Sequence, residues 1–206
     1  MLNAHFALLG GALSLVGGAS YIRDILRGES QPNRVSWLLW GVATSMVGLA
    51  QIREGVGLQW LLSLAIGLGD FAVIAASFVS RAGVWKLGLF DYACGAASLV
   101  GLTLWTVTKD ATVAIVSFIL ADAMACIPTL VKSWSTPTSE SIAPYACTMA
   151  GAILTLATVT TWSSGAVAFS LWIAGINGVF VVLIRRIPTE PRRPLATRRS
   201  FERRPR

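Results

Sequence analysis

Long apolar runs separated by short polar connectors extend from the N-terminus to about residue 184. Seven of these runs are predicted as helices: Phe6–Ile22, Val35–Gln51, Leu58–Ser80, Leu87–Val107, Thr112–Val131, Ile142–Thr161 and Val167–Ile184. The connectors hold the residues that break helices, from Gly28 to Pro32, Glu54 to Gly57, Ser80 to Gly83, Lys109–Asp110, Ser135 to Thr138 and Ser163 to Gly165. A mostly apolar run of about 18 or more residues is long enough to cross a hydrocarbon core of about 30 Å. The pattern therefore predicts an all-α membrane protein with about seven transmembrane helices. No Lys or Arg precedes Arg23, so the first run lacks the basic flank of a signal peptide and reads as an uncleaved helix.

Composition sharpens this reading. Of 206 residues 54% are hydrophobic and 13% charged, against about 25% charged in an ordinary soluble domain. The net charge of +7 would suit a nucleic-acid partner, but nine of the seventeen basic residues lie between Arg185 and Arg206, and the remainder is close to neutral. A basic tail just beyond a membrane helix holds the cytoplasmic side and meets anionic lipid, so no nucleic-acid partner is expected. The tail is rich in Arg, Pro, Thr and Ser, cannot bury a core and is expected to be disordered. With the N-terminus outside, fifteen basic residues fall on the inner side (Arg23, Arg27, Arg34, Arg81, Lys86, Lys132 and the nine of the tail). Only Arg53 and Lys109 fall outside. The expected location is the plasma (cytoplasmic) membrane, with the C-terminus in the cytoplasm.

An internal repeat organises the helices. Residues 21–36 and 126–141, a shift of 105, share Ile22/Ile127, Ser30/Ser135, Pro32/Pro137 and Ser36/Ser141, and Arg27 meets Lys132. Both copies leave a helix on the same membrane side and enter the next at the same distance. The helices then parse as three, one, three: a first repeat over 1–80, a linker helix region over 81–110, a second repeat over 111–184 and the tail over 185–206. Two three-helix units in tandem would be inverted; the extra crossing makes them parallel, a transporter design whose site lies between the halves near mid-bilayer.

With Ile127-Pro128-Thr129 at the end of a repeat's first helix, and Ser139-Glu140-Ser141-Ile142-Ala143-Pro144-Tyr145 entering its second, the chain resembles the PQ-loop family. That family includes the SWEET sugar transporters and their half-size bacterial relatives. The first repeat departs from the pattern: Arg23-Asp24 stand at the Pro-Gln position and Leu39 where Pro144 stands. The resemblance implies hinge roles for Pro128 and Pro144, with ordinary kinks as the alternative. It also implies a residue of each half lining a central site. Here these are Asp70 in the third helix and Asn177 in the seventh, two positions off the 105-residue shift.

The acidic residues in the runs are the remaining candidates. An ionised carboxylate at the bilayer centre costs about 2.5–3.5 kcal/mol. No Lys or Arg lies at the depth of Asp70, so water or substrate solvates it or it is protonated; packing against neighbouring hydroxyls is the other reading. Asp122, six residues before Pro128, is either a proton-coupling group or a carboxyl satisfied by carbonyls that the proline frees. Asp70 shares the proton-coupling candidacy. Asp91 reads as interfacial, close to Lys86. Trp37, Trp40, Trp60 and Trp162 read as headgroup anchors, with stacking on a solute the alternative for the first two; Trp172 is deeper and a candidate for solute contact. Cys94, Cys126 and Cys147 read as buried thiols. The lone His5 and the absence of any nucleophile–base or metal-ligand motif leave no expected cofactor, metal or catalytic residue. Gly41, Ser45, Gly95 and Gly178 permit close helix approach, within one chain or between copies in a homo-oligomer. The expected function is a carrier moving a small polar solute, a sugar or an amino or organic acid, by alternating access, with a proton as a candidate coupling ion. A non-transporting receptor or assembly protein of the same fold is the alternative, and a membrane-embedded enzyme the third reading.

Overall fold

The computed structural model describes residues 2–80, 88–108, 110–160 and 162–186. Its elements are α1 (Phe6–Leu26), α2 (Arg34–Arg53), α3 (Trp60–Ser80), α4 (Leu89–Thr108), α5 (Ala111–Ser135), a 3-10 turn (Pro137–Ser139), α6 (Ile142–Leu156) and α7 (Ser164–Arg185). Polar residues of the connectors start several of them. The Asn33 side chain accepts from the Val35 N–H, Asp110 from Thr112 and Val113, and Ser163 from Ala166, each satisfying an N–H that a helix start leaves unpaired.

Two ends differ from the predicted ones for identifiable reasons. α1 runs past Ile22 to Leu26, carrying Arg23 and Asp24, which pair at 3.2 Å. The drop in hydropathy marks where apolar burial stops, which is not where the backbone hydrogen bonding stops. α6 ends at Leu156, short of Thr161. Its last turn tightens through bonds from Thr158 N to Thr155 O and from Val159 N to Leu156 O, in a stretch rich in β-branched residues. The Thr158 hydroxyl also donates to Thr155 O at 2.7 Å, competing with helix continuation.

Among the described residues five helices are long and apolar enough to cross a membrane: Phe6–Leu26, Arg34–Arg53, Trp60–Ser80, Thr112–Ser135 and Ala166–Arg185. α6, at 15 residues, spans about 22 Å at 1.5 Å per residue, and α4 is not among the five. Leu8, Leu9, Val16, Leu68, Phe78, Leu120 and Val182 are all exposed on helix surfaces. So much large apolar surface is stable against lipid and not against water.

The helices pack in a closed ring. α1 packs on α3, α3 on α2, α2 on α5, α5 on α7, α7 on α6, and α6 returns to α1, while α4 lies mainly against α5. Sequence neighbours α1 and α2 are thus separated by α3, as α5 and α6 are by α7. Exchanging α1, α2, α3 with α5, α6, α7 leaves the ring order unchanged. Two apolar clusters fill its ends. One gathers Tyr21, Ile25, Trp37, Trp40, Val73, Tyr145, Phe180 and Ile184; the other gathers Ala43, Val47, Leu62, Ile115, Phe118, Ala152 and Phe169.

The α1–α6 seam is the tightest approach. A Cβ on Gly10 would lie 2.7 Å from Gly151 O, and one on Gly17 would lie 2.8 Å from the Cys147 Cβ. Gly41 faces the Phe71 ring and Gly178 faces Met149, so these small residues serve contacts inside the chain. Gly95 lies outside the residues whose side chains are described.

Candidate functional site

Between the two apolar clusters lies a cavity to which all six ring helices contribute. α1 supplies Ser14 and Gly18, α2 Trp37, Trp40 and Thr44, and α3 Ile66, Gly69 and Asp70. α5 supplies Asp122 and Cys126, α6 Pro144, Tyr145 and Thr148, and α7 Ile173, Ile176, Asn177 and Phe180. Its atom-free space is about 600 Å³ with the opening included, and the centres of water molecules can occupy about 70 Å³ of it. One water needs roughly 10–15 Å³ by that measure. The cavity therefore suits a handful of waters or one small solute.

The lining repeats in register between the third helix of each half. Ile66/Ile173, Gly69/Ile176 and Asp70/Asn177 are each 107 positions apart, and all six residues line the cavity. The two-residue offset from the 105-residue shift of the connectors is absorbed before these helices begin. Trp40 and Tyr145, 105 apart, also both line it.

Asp70 and Asn177 are both buried against this cavity. Asn177 donates its amide to Ile173 O at 2.9 Å, which orients the side chain along its own helix. Asp122 is 3% exposed and accepts at 2.7 Å from the Trp172 indole N–H. Its carboxyl also lies 3.9 Å from the Cys126 thiol, one turn on in α5. Trp172, expected to contact the solute, is not among the residues lining the cavity and donates instead to Asp122, which is. The headgroup-anchor reading of Trp37 and Trp40 is overturned. They are 5% and 8% exposed and line the cavity, because the polar start of α2 is covered by α1 and α7. Trp162, 69% exposed, stands at a helix start on the surface.

Pro128 lies inside α5, where its ring removes one helical N–H. Pro144 is the third residue of α6, where a missing N–H breaks no helical bond, so any swing there turns the helix about its connector. The side chains of Asp91 and Cys94, and Arg81, Lys86, Lys109 and the tail beyond Arg186, lie outside the described residues. Cys126 is a buried thiol and Cys147 a half-buried one, and no group of metal-ligating residues occurs among the described residues.

Four buried polar atoms of the lining have no hydrogen-bond partner among the described residues: Ser14 Oγ, Trp37 Nε1, Trp40 Nε1 and Asp70 Oδ2. Leaving one such atom unpaired costs about 1–3 kcal/mol. Their concentration at one cavity marks a place where water or a solute completes the hydrogen bonding.

Next to the cavity, behind Tyr145, lies a buried carboxylate that the sequence pattern did not single out. Glu140, 1% exposed, accepts from the Tyr21 hydroxyl at 2.8 Å and the Tyr145 hydroxyl at 3.2 Å, and pairs with Lys132 at 2.7 Å. Lys132 also donates to Gln31 O, and Gln31 N to Ser139 O at 3.4 Å, so the connector after α1 is tied to the one after α5. Aromatic contacts complete a circuit. Tyr21 stacks on Trp37, Trp37 meets Trp40 edge-on, Trp40 meets Phe180 edge-on, and Phe180 stacks on Tyr145. The signal for Glu140 was a lone acid at the edge of an apolar run, eight residues after a lysine.

Comparison of the chain with protein-family models, with curated proteins and with solved structures finds no match in any of the three.

Proposed function

We propose that the chain is an integral membrane carrier for a small polar solute, working by alternating access between two parallel three-helix repeats, α1–α3 and α5–α7, linked by α4. The observation that carries this reading is the cavity between the halves, with its four unpaired polar atoms and contributions from all six ring helices. A ring order that survives exchange of the halves, and a lining that repeats at 107 residues, support the parallel-repeat arrangement. The same features fit the PQ-loop resemblance. In this reading α4 and the short α6 also cross the membrane, making seven crossings with the N-terminus outside. The Glu140 end then faces the cytoplasm, and a carrier would have to open that end by parting the two connectors.

The test is uptake of sugars, amino acids and small organic acids or bases into proteoliposomes, with and without a pH gradient. Flux of one class that disappears in Asp70→Ala is the expected result. If a pH gradient drives that flux in wild type and no longer does so in Asp122→Asn, proton coupling runs through Asp122. Absence of flux for every class, from protein shown to be folded, would favour the receptor or assembly reading.

A further inference from the structure

We infer that the solute taken by this cavity is a small organic cation, an ammonium compound that also carries a hydroxyl or carbonyl oxygen. The inference rests on the cavity being a solute site, and it names the class of solute. Two carboxyl side chains, Asp70 and Asp122, line the cavity, and among the described residues no Lys, Arg or His does. Asp122 is held in place by Trp172 at 2.7 Å, whereas Asp70 Oδ2 is buried with no partner. An anionic solute would bring a further negative charge to these carboxyls with no basic group to compensate it. A neutral polyol leaves them uncompensated unless both are protonated. A monovalent cation supplies a counter-charge where a low-dielectric surrounding makes it most effective.

The aromatic rings favour the same class. Trp37, Trp40, Tyr145 and Phe180 line the cavity together with the two acids. Trp37 and Trp40 stand at 72° with ring centroids 5.3 Å apart, and Trp40 and Phe180 at 76° and 6.2 Å. Tyr21 and Tyr145 cover one face of Trp37 and of Phe180, while among the described residues Trp40 has only edge-on ring neighbours, so an alkylammonium head lying on the Trp40 ring would gain cation–π attraction. The indole N–H groups of Trp37 and Trp40 and the Ser14 hydroxyl are donors without acceptors. A bare cation would leave them unpaired, which is why the solute needs an oxygen as well as a nitrogen. Space for a handful of waters limits it to a few heavy atoms beyond the charged head.

Choline and ethanolamine are the probes. The neutral control is the alcohol in which a carbon atom replaces choline's nitrogen, equal in shape and lacking the charge. Purified full-length chain in detergent is titrated with each, and with glucose and lactate, following the thermal-unfolding midpoint; radiolabelled choline uptake is measured in proteoliposomes. The expected result is a saturable rise in the midpoint with the ammonium probes. Binding should weaken at least about tenfold for the neutral isostere, as a lost cation–π and charge contact predicts. Asp70→Asn should abolish the preference for choline over its isostere. The comparison of choline with its isostere on wild type needs no variant and so survives a misfolded one. Equal binding of choline and isostere, saturable binding of glucose or lactate in preference to choline, or no binding of any probe overturns the cation assignment. Flux of a sugar without ammonium binding would leave the carrier reading standing while this inference falls. Asp70-dependent choline binding without flux does the reverse.

Discussion

Glu140 carries a buried charge shared among three donors on different elements, and its energetics follow from that placement. A carboxylate out of water is tolerated only while its partners remain; breaking a buried pair by removing one partner costs about 3–5 kcal/mol. Lys132→Met removes the cation paired with Glu140 at 2.7 Å, so the thermal midpoint in detergent should fall by an amount corresponding to that range. Tyr21→Phe removes one donor to a charged acceptor and should cost less, about 1.5–3 kcal/mol. A Lys132→Met protein as stable as wild type would show that the cluster does not hold the connectors together. The first repeat has no counterpart of this pair: Val35 stands where Glu140 stands, and Arg27, at the Lys132 position, is exposed. The closure is therefore built from one half and received by the other.

At the scale of elements, glycine decides how closely α1 and α6 approach. Gly10 and Gly151 oppose each other with no room for a side chain on Gly10. Gly10→Val forces the seam apart, and overpacking of this kind costs about 1–3 kcal/mol. Gly175 on α7 is the contrast, since an added Cβ meets nothing within 4 Å. Gly175→Ala should be neutral or raise stability by up to about 1 kcal/mol through helix propensity. Thermal unfolding of the two variants in the same detergent separates them, and a Gly10→Val midpoint no lower than that of Gly175→Ala would contradict the close seam.

At the scale of the whole molecule, the two halves meet along α1–α6 and α2–α5, and their connectors touch at Gln31 and Ser139. Alternating access requires that contact to part. In a background without native cysteines, Gln31→Cys paired with Ser139→Cys should cross-link on mild oxidation, and flux should stop until the bridge is reduced. Unchanged flux in fully cross-linked protein would mean that this end never opens. The same background lets the ring order be checked, because Gly11→Cys on α1 should bridge to Ala65→Cys on α3.

Much of the helical layout was legible because hydropathy reports the cost of exposing backbone and side chains to lipid, a property of each stretch by itself. The apolar runs and the breakers between them belong to this class. Asp70 stood out for a related reason, since a charged group in an apolar run is costly wherever the run packs, whereas Asn177 was named through the repeat and the resemblance that pair it with Asp70. Trp37 and Trp40 were misread because an indole near the start of a helix has the same local sequence whether it meets headgroups or a cavity. Only the covering of α2 by α1 and α7 distinguishes the two. Glu140 was underrated because its donors are 119 residues away on Tyr21 as well as 5 and 8 residues away on Tyr145 and Lys132. The chain by itself determined which segments are helical and which carry an expensive polar group. Tertiary structure alone decided the ring order, the seams and the cavity, because burial and hydrogen-bond satisfaction depend on which surfaces meet.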